Sequence, residues 1–251
     1  MMGLRNMYKV FRESRKAARK EATLGVTGDS PRADAVAELL GAQRGSRGAE
    51  IVLYVPESGK LALSGKAVAE PDDLDLSSVT GESVRDQLAT RLVRALEEEH
   101  LIQFGRAYPM FRRAVCDEIV RKNARQNAVV GALPIPGADM PVMTANQGRM
   151  VLGIAAVYGE DLSLDRAREL LGVLAAGFGL RALSRQAVKL VPFGGWAASA
   201  AIGYAGTITM GRATMLYFER GGQQVGQKEM EQIRTRAAEE AKTFVSRMRR
   251  R

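Results

Sequence analysis

Pro134-Ile135-Pro136-Gly137-Ala138-Asp139-Met140-Pro141 continues through Val142 and Met143 into Thr144-Ala145-Asn146-Gln147-Gly148-Arg149-Met150, and this stretch decides how the chain folds. Pro134, Pro136 and Pro141 remove backbone donors and fix φ, so neither a continuous helix nor a central strand can run through them. The flanks, Asn127 to Leu133 and Met150 to Tyr158, are apolar and helical in pattern. The stretch is therefore a kinked elbow between two apolar helices, with one carboxylate, Asp139, at its tip. Asn127, Asp139, Asn146, Gln147 and Arg149 form a candidate functional elbow, because polar groups in an apolar setting need partners. Their competing role is structural, satisfying backbone groups that the prolines leave unpaired.

Outward from the elbow the chain reads as mostly α, a Gly/Ala-rich bundle of five to seven helices with a small N-terminal α/β segment. Residues 81–220 form the helical domain. One helix is expected from Glu82 to Ile102, with Val84, Leu88, Leu92, Val93, Leu96 and Leu101 on one face. Glu97-Glu98-Glu99 reads as a solvated face, and His100 as a surface or satisfied histidine. A second helix starts near Pro109 and runs to about Leu133; Cys116 is a small core residue within it. The helix after the elbow stops at Gly159, and Ser163 caps the next one, to about Phe178. Arg181, Arg185 and Lys189 then make a basic stripe. From Leu190 to Gly211 no residue is charged. Ala197, Ala201, Ala205 and Thr209 are small at helical spacing, as are Ser199, Gly203 and Thr207, and such faces let helices approach closely. The run reaches spanning length, but Pro192 and several glycines make it equally suited to a buried helix.

Residues 23–80 are the α/β segment: a strand over Thr23–Val26, a turn at Gly28-Asp29-Ser30-Pro31, a helix from Arg32 to Gly41, and a second strand from Glu50 to Val55. The order resembles a nucleotide-binding unit in degenerate form, because the turn lacks the Gly-Lys-Ser/Thr end of a phosphate loop and carries Asp29 instead. Glu57 to Thr80 reads as a polar connector with a weak strand near Lys60–Val68.

The net charge of +9 lies at the ends. Residues 1–22 carry seven Lys/Arg against Glu13 and Glu21, and residues 228–251 carry eight against four Glu; the remainder balances. In the first arm Leu4, Met7, Tyr8 and Phe11 share one face of a basic amphipathic helix, with Arg5, Lys9, Arg12 and Lys16 placed for an anionic membrane surface. Residues 221–251 form a basic C-terminal helix, with Met230, Ile233, Ala237, Ala241, Phe244, Val245 and Met248 on one face, and Arg249, Arg250 and Arg251 suit lipid headgroups. Nucleic acid or a solvated, disordered tail are the competing readings. Both arms are poor in aromatic side chains for base stacking, which argues against nucleic acid. A single cysteine excludes an internal disulfide framework, and the first residues lack the apolar core of a secretory signal. No catalytic set, metal ligand set or cofactor motif is readable.

Taken together, Asn127, Pro134 to Pro141, Asn146-Gln147, Arg149-Met150-Val151, Tyr158-Gly159, Gly194-Gly195-Trp196, Tyr204-Ala205-Gly206-Thr207 and Tyr217-Phe218 resemble a YcjF-like bacterial domain of unknown function. The resemblance covers about residues 105–220. It implies an all-helical, membrane-associated module, found fused behind or encoded beside Era-type small GTPases. The function expected is a non-enzymatic, cytoplasmic, membrane-associated or integral helical adaptor, with anionic lipid and a small GTPase as partners and homo-oligomers as a further state. Two alternatives stand beside it. One is a degenerate nucleotide-binding protein without GTPase activity; the other is a soluble helical protein that binds protein or nucleic acid through its basic arms.

Overall fold

The computed structural model describes residues 22–69, 73–74, 82–132, 139–160 and 195–250. The basic arm up to residue 21, residues 133–138 with the greater part of the expected elbow, the segment 161–194 with its expected Ser163 cap and basic stripe, and Arg251 lie outside the described residues. The last three residues of the expected elbow, Asp139 to Pro141, are helical, because a first helical turn accepts a proline. The fold is mostly α with a small N-terminal sheet, as the sequence pattern implies. Among the described residues the chain forms two compact units. A sheet unit holds residues up to 118 together with 156–159, and a helical unit holds 119–155, 160 and 195–250.

The sheet unit contains five strands in the order β2-β1-β3-β4-β5. They are β1 (Leu24–Thr27), β2 (Gln43–Arg44), β3 (Ile51–Tyr54), β4 (Leu61–Ser64) and β5 (Asp73–Leu74). β1 pairs in parallel with β2 and β3, whereas β3/β4 and β4/β5 are antiparallel. Helix α1 (Pro31–Leu40) follows β1. It begins where Ser30 Oγ accepts the Ala33 N–H, with Pro31 in the first turn, and it ends at Gly41 in the left-handed region. Gly28 between β1 and α1 has φ 126, and a Cβ there would overlap the Val55 carbonyl. Ile51, Leu53, Leu61 and Leu63 alternate with exposed or half-buried residues, so one face of β3 and β4 is core. The weak strand expected near Lys60–Val68 within the connector is β4, an interior strand whose period-two pattern buries two leucines.

The expected helix from Glu82 to Ile102 is two helices, α2 (Glu82–Ala95) and α3 (Glu98–Ala107). Leu96 leaves the helix to form an antiparallel bridge with Val68. The Ala69 N–H donates to Ala95 O and the Glu97 N–H to Ala67 O, so the break lends its backbone groups to the chain beyond β4. A 3-10 turn at Pro109–Phe111 follows, and Phe104, Tyr108 and Phe111 cluster with ring centroids 4.8–6.3 Å apart. The Tyr108 hydroxyl accepts the Leu24 N–H at 2.7 Å. These bonds explain why α2 and α3 belong with the sheet and not with the helical unit.

Helices α4 (Arg112–Ala132), α5 (Asp139–Val157), α6 (Gly195–Glu219) and α7 (Gln227–Arg249) complete the fold. Residues 119–155 and 195–250 of these make the helical unit. α6 and α7 are an antiparallel hairpin: Arg220 pairs with Glu229, Arg212 with Glu240 at 2.8 Å, and Tyr204 stacks on Phe244 with centroids 4.5 Å apart. Met230, Ile233, Ala237, Ala241 and Val245 of α7 are buried. The C-terminal segment is therefore a docked helix and not a disordered tail, since its apolar stripe has a partner. Among the described residues no helix is long and apolar enough to cross a membrane.

Gly28→Ala should destabilise the sheet unit by about 3 kcal/mol or more, because a positive φ and a steric overlap act together. Urea unfolding followed by circular dichroism checks this, with Gly48→Ala as a control that shares a positive φ, 74, but whose Cβ would meet nothing within 4 Å, so that the difference reports the overlap.

Candidate functional site

Of the five elbow residues, the helical unit joins two directly. Asn127 is fully buried on α4, and its side-chain carbonyl accepts the Asn146 amide of α5 at 3.0 Å. Its own amide donates to Thr207 Oγ1 of α6 at 2.9 Å, and Thr207 donates onward to Gly203 O at 2.8 Å. One asparagine thus ties three helices together. Gln147 is half-buried, Arg149 is exposed, and Asp139 is the first residue of α5.

The seam around this network is built from small residues. A Cβ on Gly203 would lie 2.6 Å from Asn127 O, and one on Gly131 2.8 Å from Ser199 O. Further along, Val120 occupies the space that a Gly211 side chain would need. Going up α4 from 120 through 127 to 131 means going down α6 from 211 through 203 to 199, so the two helices are antiparallel and in backbone contact. The stripe Ser199, Gly203 and Thr207 expected for close packing is indeed the line that meets α4. Thr209 and Thr214 donate to Ala205 O and Met210 O in their own helix, which removes two more hydroxyls from the need for outside partners.

Asn127 therefore spends its hydrogen-bonding groups on its neighbours. The arrangement offers no nucleophile with an adjacent base among the described residues; it offers rigidity. The sequence alone could not pair Asn127 with Thr207, which is 80 residues away. The signal present was the small-residue stripe, which marked the face but not its partner.

A second cluster, missed in the sequence, surrounds Tyr204. Its ring is buried against Phe244, and Glu240, Arg121, Arg125 and Arg212 all act on its hydroxyl. Burial raises the phenol above its ordinary value and Glu240 adds to this, while the three arginines oppose it. Of the two expectations for His100, surface or satisfied, the structure gives the second. His100 is buried in the first turn of α3, with Nε2 4.0 Å from Glu97 and 3.7 Å from Glu99. The ligand atoms of these three residues lie within 4.8 Å of one another. A helix N-terminus favours anions, so the carboxylates suit the helix end itself more than a cation.

In the α/β segment the loop that would meet phosphate is occupied by the protein's own cations. Arg44 donates to Val26 O at 2.9 Å and Gly28 O at 2.6 Å, and its Nε pairs with Asp34 at 2.8 Å. Arg32 donates to Gly59 O at 3.1 Å and to Pro56 O at 3.4 Å. Both guanidinium groups lie outside the carboxyl ends of β1 and β3, the crevice where open α/β sheets hold ligands.

Asn127→Ala should cost about 2 kcal/mol, because it takes a donor from buried Thr207 and an acceptor from half-buried Asn146. In a double-mutant cycle with Thr207→Val the losses should be less than additive; denaturant midpoints measure both. Tyr204 gives a pH effect. Its phenol stays protonated in the folded chain beyond the ordinary value of 10.0. Its contribution to stability is complete below that value and is lost as pH rises through the higher folded value. Tyr204→Phe should accordingly lose less stability than the parent chain at alkaline pH, measured by urea unfolding across a pH series.

The model of one family, Domain of unknown function (DUF697), matches residues 96–243. No curated protein and no solved structure matches the chain. The matched span includes Asn127, Asn146, Gly203 and Thr207, that is, the whole three-helix seam, together with Tyr204, and it stops one residue short of the Phe244 on which Tyr204 stacks. A match of this extent covers more than half of the chain, and the protein belongs to the DUF697 family.

Proposed function

We propose that the chain is a non-enzymatic helical adaptor that works at an anionic membrane surface beside a small GTPase. The observation that carries the reading is the character of the helical unit. Its buried polar groups are used in packing, whereas Val129, Val142, Trp196 and Ile202 are large, apolar and exposed. A surface of that kind marks an interaction site, and a membrane interface is a suitable partner for a basic chain. Two basic arms support the same reading, with Arg5, Lys9, Arg12 and Lys16 in one and Arg249, Arg250 and Arg251 in the other. The GTPase partner rests on the resemblance to YcjF-like domains alone. It would be recognised as a protein that binds this chain in one nucleotide state and not in another. Nucleotide binding by the chain itself is the weaker reading, since Arg44 and Arg32 cover the loop where phosphate would sit.

Flotation of the full chain with phosphatidylglycerol-containing vesicles should succeed at low salt, weaken at high salt and fail with phosphatidylcholine alone. Sedimentation with every vesicle at every salt concentration would refute membrane association.

A further inference from the structure

The exposed apolar residues of the helical unit are not scattered. Gly203 of α6 is level with Asn127 of α4, and Met143 Cε of α5 lies 3.1 Å from where a Gly203 Cβ would be. From that level α4 has five more residues to its end at Ala132, and α5 begins four residues before Met143. α6 begins eight residues before Gly203. The C-terminal end of α4 and the N-terminal ends of α5 and α6 therefore form one end of the unit. Val129, Val142, Ile202 and Trp196 lie there, between the Asn127 level and the end itself.

The hairpin brings a fourth element to the same place. Arg220 meets Glu229, Arg212 meets Glu240 and Tyr204 meets Phe244, so each step back along α6 is a step forward along α7. Beyond the Tyr204–Phe244 pair, α7 continues through Arg247 to Arg249 while α6 runs back through Ile202 to Gly195. At 1.5 Å per residue, Arg250 stands about 9 Å and Trp196 about 12 Å beyond that pair. Arg247 and Arg250 are exposed, as is Arg125 on α4 just inside Asn127. Among the described residues these helix ends carry four arginines (Arg125, Arg247, Arg249 and Arg250) and one acid, Asp139.

An apolar end that includes a tryptophan and has exposed arginines on α4 and α7 beside it is suited to one environment, the headgroup boundary of an anionic bilayer. Tryptophan prefers that boundary, and arginine lying beside it reaches phosphate oxygens. We infer that this end of the helical unit is its membrane-inserting end: Trp196, Ile202, Val129 and Val142 enter the interface, and Arg247 and Arg250 hold the headgroups. The inference rests on the membrane reading above and gives it a site and an orientation. A second copy of the chain is the other occupant that an apolar end could take. The arginines argue against it, because a two-fold pairing of such ends would bring like charges together.

The chain contains one tryptophan, so its own fluorescence tests the site. The full-length protein is titrated with phosphatidylglycerol/phosphatidylcholine vesicles, with and without bromine on the lipid chains. The expected result is a blue shift of Trp196 emission, quenching by the brominated lipid and protection from aqueous iodide. Arg247→Gln with Arg250→Gln should lower the partition coefficient roughly 25-fold, at about fivefold for each cation. Ile202→Asp should abolish the blue shift while leaving the far-ultraviolet circular dichroism unchanged. Vesicle binding with unshifted, iodide-accessible Trp196 would overturn this site and leave membrane association standing through another surface. Absence of binding to any vesicle would remove both. A blue shift that grows with protein concentration in the absence of lipid would assign the end to a second copy and overturn the inference.

Discussion

Backbone meets backbone where Gly203 lies against Asn127, and the helical unit is arranged around that approach. A side chain of any size at 203 would push α6 away from α4. It would also pull Thr207 from Asn127, and with it the bond that Asn127 makes to Asn146 of α5. α7 depends on the same contact at one remove, because its apolar face packs on α6 and is fixed there by the Tyr204–Phe244 stack and the Arg212–Glu240 pair. Apolar burial supplies most of the driving force in such a bundle, and the small residues decide which helices come close enough to use it. The asparagine then fixes the register, since a shift by one turn would leave its amide buried and unpaired.

Much of this architecture was legible in the sequence, for identifiable reasons. Gly159 ends α5 by taking the left-handed conformation that glycine allows, whereas Pro141, read as part of the elbow, lies in the first turn of α5, where a proline is tolerated. The stripe of Ser199, Gly203 and Thr207 announces a close helix contact because small residues at helical spacing let backbones approach. The parallel stripe from Ala197 to Thr209 has the same spacing, and only the structure tells the two apart. What stayed hidden was everything that depends on long-range pairing. Leu96 looks like one more apolar residue on a continuous helix, and only its bridge to Val68 breaks the helix there. β2 and β5 are two residues each, too short for any periodicity, and they exist because a neighbouring strand edge accepts them. His100 reads in the sequence as either a surface or a satisfied histidine, and only the fold decides between the two by burying it beside Glu97 and Glu99. The candidate elbow was half legible: Asn127 and Asn146 do meet, and Asn127 goes on to a third helix that the sequence did not announce as its partner.

The two units use charge differently. In the sheet unit cations serve the backbone: Arg32 and Arg44 gather carbonyl oxygens at the ends of β1 and β3. In the helical unit they flank aromatic and apolar groups, with Arg121, Arg125 and Arg212 around Tyr204 and Arg247 and Arg250 beyond Phe244. The net charge of +9 is therefore partly committed and partly presented. A count of basic residues by itself cannot separate the two.

The Arg44 plug changes what the α/β segment is able to recognise. A phosphate-binding loop of this topology turns amide hydrogens outward and waits for negative charge. Here Val26, Gly28, Pro56 and Gly59 turn oxygens toward guanidinium groups, so the crevice has reversed polarity: it is a cation receptor whose cation is covalently part of the chain. An anion approaching it would have to compete with four carbonyls for the same two side chains, and each carbonyl it displaced would lose a charged donor. These carbonyl–guanidinium bonds tie the end of β1 and the loops that follow β1 and β3 to α1 and β2, and so act on the segment as a fastening of its own backbone.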